Sequence, residues 1–154
     1  MRNESTELSA FERVHGVILR QHTEIRARMR GIDRLSTAAG KHDSLNHLRI
    51  TLGHFASMFE QHLAFEEREL APLLRAVDSW GPVRENDLIE EHREQRQRVE
   101  ALCALADDTA TKMSEVRGEV HWLMKTLTED MEREEAELEA LGRLEVEGAA
   151  QMTG

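Results

Sequence analysis

The chain has 154 residues, 40% hydrophobic and 32% charged, with one cysteine, no tyrosine and a formal net charge of −10. That charge argues against a nucleic-acid surface and against anionic membranes, while it draws cations. A lone Cys103 allows no internal disulfide and points to a reducing, cytoplasmic setting, and the missing tyrosine excludes a tyrosyl radical or phenolate ligand.

The length suits one domain with a real core. The first ten residues are polar, with no apolar leader, and no apolar run is long enough to span a bilayer. Residues 1–8 and 146–154 are read as disordered tails, and 9–145 as the folded unit. Ser9 followed by Glu12 is a capping box. Phe11, Val14, Ile18, Ile25, Met29, Ile32 and Leu35 then trace one helical face, predicting a first helix over 9–39 closed by Gly40. Asp43 or Ser44 can cap a second helix that runs to Asp78, with Pro72 disturbing its last turn. Ser79-Trp80-Gly81-Pro82 is the clearest turn, and Trp80 is expected to plug the bundle end. A third helix starts after Pro82 or at Asp87, with the seam Leu88, His92, Gln95, Val99, Leu102 and Ala106. A fourth covers 112–145 along Met113, Val116, Val120, Leu123, Leu127, Asp130, Glu134 and Leu141. No strand-like alternation occurs. Four long helices with short loops predict an all-α, antiparallel up-down-up-down four-helix bundle.

The second helix carries the anomaly. Its seam reads Leu45, Leu48, Leu52, Phe55, Phe59, His62, Glu66, Glu69 and Leu73, so a histidine and a carboxylate occupy places meant for apolar groups. An inward imidazole and carboxylate cost several kcal/mol unless they are paired, and a metal ion can pair both. Counting along each helix from its loop puts His22, His62, His92 and Asp130 within ~3 Å of one level. Glu66 and Glu134 lie one turn on. Any one of these has a plain explanation: a lone core histidine is usually hydrogen-bonded, and an acid on a helix as acidic as the fourth is usually solvated. Their coincidence of seam and depth on four helices makes three imidazoles and three carboxylates, the donor set of a two-metal non-haem site.

The segment His62-Leu-Ala-Phe-Glu66-Glu67-Arg-Glu-Leu70-Ala-Pro72-Leu-Leu resembles the HxxxEExxLxPLL signature of hemerythrin-like (HHE) domains. Arg20-Gln-His22-Thr-Glu-Ile-Arg and Ile89-Glu-Glu-His92-Arg-Glu agree with it, and Leu127-Thr-Glu-Asp130-Met-Glu-Arg-Glu134-Glu135 is similar to the family's LxxHMxxEE with the histidine replaced. The resemblance implies a bundle holding two iron ions, carboxylate- and oxo- or hydroxo-bridged, that bind dioxygen, nitric oxide or a peroxide. It implies Glu66 and Glu134 as bridges, His22 and His62 on one iron, and His92 and Asp130 on the other. Two divalent ions against these three carboxylates and one hydroxide balance in charge.

Asp130 stands where the family usually has His, and Arg96 where oxygen carriers have a second helix-three histidine. Both changes fall on the same ion and make that position harder, favouring ferric iron or manganese. Arg96 is expected at the surface, without influence there. His15, Glu69 and Glu137 are expected half-exposed near the bundle end, His54 and His121 at the core edge, and Cys103 as a small apolar group beside the third seam. Glu67 and Glu91 are candidate acceptors for imidazole N–H groups. The expected function is a di-iron protein binding or sensing a diatomic or redox ligand, with no nucleic acid or membrane partner. The alternatives are a peroxidase-, catalase- or ferroxidase-like enzyme, or a metal-poor interaction module.

Overall fold

The structure, a computed structural model, describes residues 9–37 and 42–152. Among them it is all-helical. Helix α1 (Ala10–Thr37) opens with the Glu12 N–H donating to Ser9 Oγ at 3.1 Å, as the capping box requires. Gly40, expected to close it, lies outside the described residues, as do the side chains of Asp43 and Ser44. Helix α2 (His42–Phe65) continues through a π-helical turn at Glu66–Leu70 into α3 (Ala71–Val77). Helices α4 (Gly81–Asp107) and α5 (Met113–Met152) complete the bundle. α1 packs on α2 and α5, and α4 packs on the α2–α3 column and α5. The four columns therefore follow one another round the bundle in chain order.

Pro72 accounts for the break in the second column. It has no N–H for the carbonyl four residues back, and its ring crowds that carbonyl. The turn before it is widened, with the Ala71 N–H bonded to Glu66 O, five residues back. One extra residue per turn shifts the register. After Glu66 the buried positions are Leu70, Ala71 and Leu74, not the expected Glu69 and Leu73. Glu69 points to solvent beside Arg68.

The α3–α4 turn is built on Asp78, whose Oδ1 accepts from the Trp80 N–H at 2.9 Å and whose two oxygens take Arg84 at 2.6 and 3.2 Å. Gly81 is required here: a Cβ would collide with the backbone carbonyls of Arg75 and Leu74. Helix α4 starts at Gly81, with Pro82 in its first turn where a missing N–H costs nothing. Trp80 does not plug the bundle; it is 66% exposed. The backbone reason is that the turn turns residue 80 outward to bring Gly81 against α3. His54 and His121 are likewise exposed rather than at the core edge. His15 is half-buried against the Phe11 ring, 5.9 Å between centroids. Cys103 is half-buried against the core. Helix α5 runs to Met152, beyond the expected end at 145; the stretch is rich in Glu and Ala, and Gly148 costs a helix only ~1 kcal/mol.

The apolar core is in two pieces. The larger spans Ile25 to Ile32, Leu48 to Leu63, Val99 to Ala106 and Val116 to Met131. The smaller gathers Phe11, Ile18, Leu70, Ala71, Leu74, Leu88 and Leu138. Between them lies the polar layer that carries the site. No helix among the described residues is long and apolar enough to cross a membrane.

Candidate metal centre

Apart from Ser36, the buried polar side chains among the described residues are His22, His62, Glu66, His92 and Gln95. All five lie on predicted seams or beside them. Each is there because the heptad spacing of its helix continues inward regardless of residue type.

Four residues bring donor atoms within 4.8 Å of one another: His22, His62, Glu66 and Glu134. His22 Nε2 lies 3.1 Å from Glu134 Oε1, and His62 Nε2 lies 2.6 Å from Glu66 Oε1. The two imidazoles meet edge to face, 5.0 Å between ring centroids. The enclosed space among them is about 10 Å³, room for one ion or one water. Both nitrogens of His22, Glu66 Oε2 and Glu134 Oε1 are buried without any hydrogen bond. Unpaired buried polar atoms cost about 1–3 kcal/mol each. His22 Nδ1 is turned toward Glu135, so three of the four, His22 Nε2, Glu66 Oε2 and Glu134 Oε1, belong to the group that can hold a cation.

The protonation pattern follows from burial. Desolvation pushes the Glu66 carboxyl up to about 7, against a hydrogen bond with Glu134 that lowers it. Desolvation pushes Glu134 up to about 8, with the neighbouring His22 acting the other way. His62 is pushed down to about 4, again by burial. His62 Nδ1 is 2.7 Å from Gln21 Oε1. An amide oxygen only accepts, so Nδ1 carries the proton and Nε2 presents a lone pair to Glu66. Two lone pairs 2.6 Å apart need a proton or a cation between them.

His92 and Asp130 stand at one remove. His92 Nε2 is 3.7 Å from Glu66 Oε1, the oxygen that His62 Nε2 also meets. Asp130 is turned toward Gln95, whose Nε2 donates to Oδ2 at 3.1 Å, and toward Arg133, which donates to Oδ1 at 3.0 Å. The close group thus holds four of the six expected residues. Asp130 lines the small cavity and His92 does not; neither joins the close group, and each is engaged by an outer partner.

Those outer partners follow a rule that sequence reading left unseen. Glu67 Oε1 accepts from His92 Nδ1 at 3.0 Å, as anticipated. Arg96 then grips Glu67, and Arg26 grips Glu135, whose Oε1 lies 3.6 Å from His22 Nδ1. Each pair of adjacent glutamates sends its first carboxylate into the layer and its second toward an imidazole on a neighbouring helix. Each such imidazole is followed four residues later by the arginine that holds that second carboxylate. His22 with Arg26 and Glu135 mirrors His92 with Arg96 and Glu67. The signal was legible as His-x-x-x-Arg on two helices and Glu-Glu on the other two. Arg96 is therefore not idle at the surface, and it points away from Asp130. Glu91, expected beside an imidazole, instead binds Arg133 at 2.7 Å and Gln95 at 3.4 Å.

Comparison with curated proteins and comparison with solved structures each give no match. A family model described as the hemerythrin HHE cation binding domain matches residues 14–141, which include every residue of the layer. The chain belongs to the hemerythrin HHE cation-binding domain family, and the buried His/Glu group is where this fold can hold a cation.

Proposed function

We propose that the chain is a non-haem di-iron protein that binds or senses a small diatomic or redox ligand. His22, His62, Glu66 and Glu134 would hold one iron ion. His92 and Asp130, sharing Glu66 and Glu134 as bridges, would hold a second and more weakly bound one. The supporting observation is the set of three buried, unbonded donor atoms, His22 Nε2, Glu66 Oε2 and Glu134 Oε1, on residues that line a cavity of one ion's size. Bound iron would supply the open coordination positions at which dioxygen, nitric oxide or peroxide is taken. The residues on the page set the rest. Gln21 fixes the His62 tautomer and Glu67 that of His92, so both Nε2 atoms face the layer. Phe59, Leu127 and Met131, buried in its wall, keep bulk water from it.

The second position is the softer point of the design. Asp130 must leave Gln95 or Arg133 to act as a ligand, so affinity there is lowered by those two hydrogen bonds. Iron-loaded protein should show a new absorption band on addition of nitric oxide or azide at stoichiometric levels. Failure of any ligand to perturb the spectrum of iron-loaded protein would remove the sensing role. Multiple turnovers with peroxide or ferrous iron would replace binding by catalysis as the function.

A further inference from the structure

A second, larger cavity of about 570 Å³ lies between α4 and α5, on the outer side of the polar layer. Its floor is the smaller apolar cluster: Leu70, Leu74, Leu88 and Leu138, all buried. It shares two wall residues, Glu91 and Glu134, with the small inner cavity. Its volume is that of a pocket for an organic molecule, far beyond the need of a diatomic.

The charges in its wall select the ligand. Of its four carboxyl groups, Glu91 is taken by Arg133 and Glu134 belongs to the inner layer, which leaves Asp87 and Glu137 to set the field beside two guanidiniums. Neither guanidinium is available to an incoming anion. Arg84 is bound by both oxygens of Asp78, and Arg133 by Glu91 and Asp130. Arg133 thereby ties Glu91 on α4 to Asp130 on α5.

We propose that the α4–α5 cavity binds an amphiphile with a linear apolar body and a neutral or cationic hydrogen-bond-donating head, the body on the leucine floor and the head at Asp87 and Glu137. This goes beyond the metal reading and does not need the metal. It is therefore tested on the metal-free full-length chain, so that either idea can fail without the other.

The test is calorimetric titration with three octyl compounds below their aggregation limits: octylamine, octanol and octanoate. Octylamine and octanol are expected to bind, and octanoate at least about 10-fold more weakly, the ratio that ~1.4 kcal/mol of charge discrimination gives. Ala140→Trp places a ring in the cavity from an exposed position and should weaken octylamine by about 10-fold or more. Ala76→Trp, an exposed residue lining a different cavity beside Phe11 and Leu73, should change it less than about twofold. Glu137→Arg should narrow the difference between amine and carboxylate. Absence of heat from octylamine and octanol, equal binding in Ala140→Trp, loss of binding in Ala76→Trp, or a preference for octanoate would each overturn the assignment.

Discussion

Arg96 grips Glu67 through two nitrogens, at 2.6 and 3.0 Å, and the oxygen at the shorter distance is the one that His92 Nδ1 meets at 3.0 Å. The guanidinium holds the Glu67 carboxyl below its usual range, with the His92 contact adding to the effect. Arg96 also takes both oxygens of Glu60, so its place is fixed from two sides. A residue expected to stand without influence at the surface is here the anchor of a histidine's partner.

The first prediction follows from that arrangement. Arg96→Ala should lower metal affinity by about 10-fold, because an outer-shell partner of a ligand histidine is lost. It should cost less than ~1 kcal/mol of metal-free stability, since the pair is partly solvent-screened. Arg96→Lys should not restore affinity, as a single ammonium cannot reproduce a two-pronged grip. Metal titrations and melting curves on the three proteins check this; equal metal affinity in all three would contradict it.

Stability of the metal-free chain should depend on pH with a defined sign. Glu66 and Glu134 rise on folding from 4.5 to about 7 and about 8, so the folded chain holds their protons more tightly than the unfolded one. Their contribution is complete below 4.5 and is lost as pH rises through 7 and 8. His62 works oppositely: its fall from 6.5 to about 4 contributes above 6.5 and is lost on acidification. Above 6.5 only the carboxylates change. The metal-free bundle should therefore be on the order of 2 kcal/mol less stable at pH 8.5 than at 6.5. Metal loading near neutral pH should release about one to two protons. Denaturant midpoints at the two pH values and buffer-dependent binding heats measure both; a flat profile would show that the carboxylates are not desolvated.

Glu66→Gln should separate stability from function. The amide has nearly the same shape and cannot ionise, so the metal-free variant should gain about 1–3 kcal/mol at pH 8 relative to the parent. The same variant should lose metal, because an amide is a poor bridge between cations. Retention of a full metal complement by Glu66→Gln would remove Glu66 from the ligand set.

Two glycines provide a backbone test. Gly81→Ala should destabilise by ~2–4 kcal/mol, since its Cβ would meet Arg75 O and Leu74 O, backbone atoms that cannot swing away. Gly53→Ala meets nothing within 4 Å on an exposed helical face and should stabilise by up to ~1 kcal/mol. Thermal melts of the two variants should move in opposite directions.

Much of this fold was legible because helical burial follows spacing. The α4 seam from Leu88 to Ala106 is buried at every predicted position. Seam position and depth counting put all six candidates in one layer, and His22, His62, Glu66 and Glu134 do come together there. Three features escaped it for physical reasons. The register shift after Glu66 depends on how Pro72 is absorbed, and a widened turn is one of several solutions. Trp80 went outward because the Asp78 turn and the Gly81 contact, both tertiary, fix the backbone there. Gln21, Glu135 and Arg26 act on side-chain atoms across helices, and seam counting carries no information on which flanking residue reaches a neighbour's imidazole. Asp130 is the middle case: its level was right, but Gln95 and Arg133 draw its carboxylate aside.

The most direct test of the whole account is elemental analysis of protein expressed in iron-rich medium, alongside His62→Ala and Asp130→His. The account predicts about two iron equivalents per chain, the first surviving desalting and the second lost more readily, with less than about half an equivalent left in His62→Ala. Asp130→His should hold the second ion more firmly. Less than about half an equivalent in the unaltered chain, or an unchanged content in His62→Ala, would contradict the claim that this buried layer is a metal site.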